Sequence, residues 1–267
     1  ILLGGAGSAH VVMQSGRNMV DGTSMTGSLV AQGGLGSDTI LGSDYSDTLS
    51  GGAGNDIIRG MGGDDTIAGG AGIDTLAGGG NQNGSVAVNT YVFEDGFGND
   101  TFEIASEEEL ILDFSGVNRD LSGFVTNNRV NIHHASSASG DSVFHETLIM
   151  GAEVQELRLG TGNDNIRFLG IGDTASLRDD PSMSILNAGG DDLYSVELGR
   201  LLDPSVSQLP LGRYRFEGQF AEAGQKNYEE IRVIPQFMPE GQDFNGFILG
   251  DQELRRGREQ IGFEHSI

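Results

Sequence analysis

The chain has 267 residues, room for one large domain or two modest ones, and carries 39 Asp+Glu against 15 Lys+Arg, a formal charge of −24. This balance disfavours nucleic acid and anionic membrane surfaces, both of which call for a basic face, and makes a multivalent cation the natural counterpart. Cysteine is absent, which excludes disulfides and thiolate metal sites, and no apolar run is long enough for a transmembrane helix.

Tryptophan is also absent and aromatics make up only 7%, so large core anchors are scarce. The 44 glycines are a large excess that backbone geometry or disorder has to explain. No basic segment followed by an apolar one opens the chain, and residue 1 is not Met; the expectation is a processed chain or an excerpt of a longer one.

In chain order, the first blocks are weak repeats of nine. From Gly4 they read GGAGSAHVV, MQSGRNMVD and GTSMTGSLV, with apolar Val11, Val20 and Leu29 in eighth place. Their sixth places hold Ala9, Asn18 and Gly27, and two extra residues, Ala31 and Gln32, then shift the frame. Ile1, Leu2 and Leu3 fit the end of a still earlier block, so the chain is expected to begin partway through a repeat.

From Gly33 to Ala77 the period is strict. Five consecutive blocks read GGLGSDTIL, GSDYSDTLS, GGAGNDIIR, GMGGDDTIA and GGAGIDTLA. First place is always glycine (Gly33, Gly42, Gly51, Gly60, Gly69), sixth always aspartate (Asp38, Asp47, Asp56, Asp65, Asp74), and eighth always Ile or Leu. Three block-final residues with the middle one apolar make a short strand with one side chain inward. The six before it make a turn, where glycine permits positive φ and close backbone approach. Two such units form one coil, so alternate blocks stack on the same side about 4.8 Å apart. Asp38, Asp56 and Asp74 should line one edge, and Asp47 and Asp65 the other. At about 5 Å two unit charges repel by roughly 0.8 kcal/mol in water and about 3 kcal/mol at an effective dielectric near 20. A calcium ion between turns reverses that sign, taking carboxylates and glycine-turn carbonyls as ligands, so that binding energy becomes folding energy. A flexible glycine-rich linker would explain the glycine but not the registered apolar residues.

These blocks resemble the RTX calcium-binding family, whose nonapeptide is GGxGxDxUx. The resemblance implies a parallel β-roll with Ca2+ held by turn aspartates and carbonyls, including those of Gly36, Gly54 and Gly72. It also implies export in one step on an uncleaved C-terminal signal (type I secretion), hence a secreted or cell-surface protein.

Beyond Ala77 the pattern loosens and then returns in isolated form. Thr90–Phe93 reads as a strand, and 95–103, 159–167 and 187–195 repeat the motif with Asp100, Asp164 and Asp192 in sixth place. These three are further candidate calcium turns. The stretches around them resemble the longer-period segments of large RTX surface proteins, where the roll widens into a β-helix-like stack. Leu121–Val143 reads as a lateral excursion, and Glu107–Leu110 as the opening of one helical turn. All five prolines fall after residue 180, and RYRFEGQF, EEIRVIPQF and GFILG alternate as half-buried strands. The expected organisation is therefore all-β: degenerate coils over 1–32, a regular roll over 33–85, a wider solenoid continuation over 86–195, and a β-rich cap or module over 196–267.

No catalytic constellation competes with this reading. His133, His134 and His145 lack the spacing of a zinc helix and read as solvent-facing loop residues. Gly140–Val143 faintly resembles an esterase nucleophile block, without a partner acid and histidine. No phosphate loop occurs. The expectation is a non-enzymatic secreted calcium-binding structural protein, an adhesin, surface layer or filament component. The alternative is the non-catalytic C-terminal RTX portion of a secreted hydrolase, lyase or epimerase. Expected partners are calcium ions and other copies of the chain stacked head to tail, or other surface proteins.

Overall fold

Alternation of short strands with glycine turns gives two faces that wind into a solenoid. The structure is a computed structural model and describes residues 1–81, 84–98, 100–104, 108–126, 129–134, 153–169, 182–190, 192–198, 213–218 and 229–235. Among the described residues every element is a strand, and no helix is long and apolar enough to cross a membrane.

Strands alternate between two parallel sheets. One is six-stranded, in the order Leu2–Gly5, Met19–Met25, Thr39–Leu41, Ile57–Arg59, Thr75–Ala77 and Thr101–Phe102. The facing sheet has nine strands. From its N-terminal edge these are Ala9–Val12, Leu29–Leu35, Thr48–Ala53, Thr66–Ala71, Ala87–Glu94, Glu108–Gly116, Glu153–Leu159, Ser182–Asn187 and Arg213–Gly218. After residue 108 the nine-stranded sheet alternates with a third, five-stranded one. Its order is Arg129–His134, Leu121–Thr126, Asn165–Leu169, Asp192–Leu198 and Glu229–Pro235. The chain is a parallel β-roll continued as a β-solenoid.

The eighth-place residues form ladders between the sheets. Val20, Ile40, Ile58, Leu76 and Phe102 are partners across successive strands of the six-stranded sheet. In the nine-stranded sheet the ladder runs Val11, Ala31, Leu49, Ile67, Tyr91, Leu112, Leu157 and Ile185. Ile40, Ile58 and Ile67 are wholly buried. Burying such a side chain contributes about 1.5–3 kcal/mol, so each rung adds its own share of core.

The frame shift falls earlier than the repeat pattern predicts. Ala31, not Leu29, pairs with Leu49, so the two extra residues lie between Val20 and Ala31. Leu29 then takes the sixth place, where its backbone N–H donates to Asp47 Oδ1 at 2.6 Å. Glu108–Leu110 opens a strand rather than a helical turn. Leu121–Thr126 belongs to the stack, paired in parallel with Asn165–Leu169. Among the described residues of that stretch, Arg129–His134 lies outside it, as an edge strand antiparallel to Leu121–Thr126. The boundaries drawn at 33 and 196 both fall inside strands, Leu29–Leu35 and Asp192–Leu198. Arg213–Gly218 and Glu229–Pro235 extend the two sheets in parallel register. GFILG, His145 and Gly140–Val143 lie outside the described residues.

Where the solenoid widens, aromatics fill it. Phe93 stacks on Phe114 with ring centroids 4.2 Å apart, and Tyr91 meets Phe102 edge-on at 4.9 Å.

Truncating the inward Ile58 to Ala should cost about 2–5 kcal/mol in denaturant unfolding at saturating calcium. The same change at its neighbour Ile57, which is 39% exposed, should cost well under about 1 kcal/mol.

Candidate metal sites at the coil corners

Each sixth-place aspartate is folded into its corner by the backbone of the preceding coil. Its Oδ1 accepts the N–H of the residue one coil earlier: Asn18 to Asp38, Asp38 to Asp56 and Asp56 to Asp74, each at 2.7 Å. On the other edge Leu29 donates to Asp47 and Asp47 to Asp65, at 2.6 and 2.8 Å. Fifth-place residues run the opposite way, with Asn55 N–H donating to Ser37 Oγ and Ile73 N–H to Asn55 Oδ1. The two directions clasp successive coils together.

The five repeat aspartates are no more than 3% exposed. Asp38, Asp56, Asp65 and Asp74 each have a second oxygen, Oδ2, that is buried without a hydrogen-bond partner. At Asp47 the neighbouring Ser43 N–H donates to Oδ2 at 2.6 Å, which is why this carboxylate is satisfied where the others are not.

The first-place glycines explain where the orphaned oxygens point. A Cβ built on Gly33, Gly42, Gly51 or Gly60 would lie within 2.7 Å of the Oδ2 of its own block's aspartate. It would lie equally close to the carbonyl oxygen of the first-place residue one coil on: Gly51, Gly60, Gly69 and Gly78 respectively. Only glycine leaves this volume open. Fourth-place Gly36, Gly54 and Gly72 have φ of +108°, +135° and +143°, and each packs against the carbonyl of Gly16, Gly36 or Gly54 in the preceding coil. The opposite corner is built differently: its fourth places hold Tyr45 and Gly63, the latter at φ +106°, and its second places hold Ser43 and Met61, the latter at φ +82°.

The isolated motifs repeat the clasp. Asp74 N–H donates to Asp100 Oδ1 at 3.1 Å, which extends the first edge by one aspartate. In the third sheet Leu121 N–H donates to Asp164 Oδ1 at 2.8 Å and Asp164 N–H to Asp192 Oδ1 at 2.7 Å. Asp164 Oδ2 is again buried without a partner.

The corners thus offer hard oxygen donors only, buried and partly unsatisfied. That donor set fits Ca2+, which accepts six to eight carboxylate and carbonyl oxygens in flexible geometry. Among the described residues no group of three or more His, Asp or Glu forms a metal cluster, so carbonyls must complete any coordination shell. Asp38, Asp47, Asp56, Asp65, Asp74, Asp100, Asp164 and Asp192 would supply carboxylates, and the corner glycines carbonyls.

Burial dominates the electrostatics. It raises Asp47 and Asp74, and pushes Asp56 and Asp164 up to about 6, Asp100 to about 7 and Asp65 to about 8. Backbone donors pull Asp47, Asp56, Asp65, Asp74, Asp100 and Asp164 back only in part. At Asp56 its neighbours Asp74 and Asp38 add to the rise. The histidines differ from the solvent-facing loop expected for them. His133 and His134 lie half-buried in an edge strand, His134 against Phe97 at 4.6 Å, and burial lowers both.

A parallel roll with registered, unsatisfied carboxylates at its corners defines a calcium-type repeat protein. Residues 32–67, 41–76 and 59–83 match the RTX calcium-binding nonapeptide repeat, in four copies. This segment of the chain is an RTX repeat roll, and such repeats bind calcium in general. No curated protein and no solved structure matches the chain.

A carboxyl whose folded pKa lies above its unfolded value favours the folded state at low pH. That contribution is complete below about pH 4 and is lost as pH rises through the folded values of about 6 to 8. Protein held in chelator should therefore keep more β signal in circular dichroism at about pH 5 than at about pH 8. Its calcium midpoint should rise as pH falls from about 8 to about 6, because protons compete for the same oxygens.

Proposed function

We propose that this chain is a structural, calcium-loaded rod of the cell surface or extracellular matrix, part of an adhesin, surface layer or filament, that folds on calcium outside the cell. One observation carries the reading: the buried Oδ2 atoms of Asp38, Asp56, Asp65, Asp74 and Asp164 have no hydrogen-bond partner. An unpaired buried carboxylate costs several kcal/mol, and the fold builds them in register. A divalent ion between coils removes that cost and cross-links the rungs it touches.

The same chemistry supports folding after export. Oxygen sites in extracellular modules act at about 10⁻⁴–10⁻³ M calcium, far above cytosolic levels. Inside the cell the acidic files would repel and the chain would stay extended. In this reading the carboxylates are ligands and not acid–base catalysts, and calcium is the partner on which everything else waits.

Calcium titration followed by circular dichroism should give a cooperative gain of β signal, reversed by EGTA. Asp56→Ala should raise the midpoint about tenfold or more, since a charge-assisted contact is worth about 1.5–3 kcal/mol. A wild-type protein that melts at the same temperature in calcium and in EGTA would refute the proposal.

A further inference from the structure

The two corner files of the roll do not end alike. On one edge the aspartate after Asp74 is Asp100. On the other edge the residue after Asp65 is Asn89, whose Oδ1 accepts the Asp65 N–H at 2.8 Å. The step from Asp65 to Asn89 is 24 residues, against 18 from Asp47 to Asp65.

The rest of this amide does what no repeat aspartate can do. Asn89 Nδ2 donates to Gly79 O at 2.9 Å and to Glu108 Oε1 at 2.9 Å. Tyr91 Oη donates to the same Oε1 at 2.7 Å and accepts the N–H of Gly78 at 2.7 Å. Asn89 and Tyr91 are wholly buried and Glu108 is 2% exposed. Gly78 continues the first-place glycine series. A Cβ built there would meet Asn89 Nδ2 and Glu108 Oε1, where Gly42 and Gly60 would meet an aspartate Oδ2 and a carbonyl.

We infer that this node of amide, phenol and off-repeat carboxylate stands in for a cation and closes the second file at Asp65. The inference rests on the calcium reading above. The volume that faces oxygen lone pairs in the regular rungs here holds two N–H bonds and a hydroxyl. They satisfy Gly79 O and Glu108 Oε1, oxygens that an ion would otherwise bind, and the amide nitrogen fills the space beside Gly78. Asn89 is therefore the residue that decides how many ions this edge takes.

Asn89→Asp restores the repeat's carboxylate opposite Glu108, and native mass spectrometry at saturating calcium should count one more ion per chain than in the wild type. Should the single variant fail to fold by circular dichroism, Asn89→Asp with Glu108→Gln removes the second carboxylate and should show the same gain. A folded variant with an unchanged count overturns the inference. So does a calcium-loaded wild type whose Asn89 side-chain amide protons exchange freely in NMR, since the node requires them protected. A wild type that takes up no calcium at all would instead overturn the calcium reading, so the two failures are told apart.

Discussion

Everything in the roll depends on how one side chain is shared. Each corner aspartate uses one oxygen to hold the backbone of the coil before it, and turns the other into a glycine-lined gap facing the coil after it. The first contact is an ordinary charge-assisted hydrogen bond and stabilises the stack by itself. At Asp38, Asp56, Asp65, Asp74 and Asp164 the second is a buried oxygen without a hydrogen-bond partner and destabilises the stack. Neither can be had without the other, because both oxygens belong to one carboxylate. In the calcium reading proposed here a cation resolves the conflict, and metal binding and folding then become the same event.

Much of this is legible in the sequence because the repeat is strict. Nine-residue spacing fixes the strand, its inward residue and the turn, and two units per coil fix which aspartates share an edge. The structure places Asp38, Asp56 and Asp74 in one file and Asp47 and Asp65 in the other, and the ladder of eighth-place residues forms the core. Frame errors arise where the period breaks. Leu29 looks like an eighth-place core residue because it is apolar, yet it fills the sixth place and is buried there. Nothing in its local sequence marks the difference, since two inserted residues can sit on either side of it. The same ambiguity hides the third sheet, whose rungs have uneven lengths, and disguises Glu108–Leu110 as part of a helical turn.

Asn89 shows a different limit. Its block is not recognisable as a repeat, since the step to it is six residues longer than the regular one (24 against 18). Only the hydrogen bond from Asp65 N–H identifies it as the occupant of an aspartate position. The aromatic residues that look sparse in the composition are concentrated just past this point, with Tyr91, Phe93, Phe97, Phe102 and Phe114 in mutual contact. The roll thus passes from rungs held by small side chains and corner anions to rungs held by ring packing. The polar node lies at the junction of the two regimes.

The sharing of oxygens also sets how calcium should act along the stack. In a solenoid each rung touches only its neighbours, so stability is close to a sum of rung terms and interface terms. In the proposed calcium reading the interface term contains both a fixed hydrogen bond and an ion-dependent one, attached to the same aspartate. On that reading, losing an ion at Asp56 would expose a bare anion next to Asp38 and Asp74, which already raise its proton affinity. The clasp it makes to Asp38 N–H is then weakened in favour of protonation or opening. Ion loss would therefore spread to the neighbouring rungs instead of remaining local, and the edge with the longer aspartate file should couple more rungs than the edge that ends at Asp65.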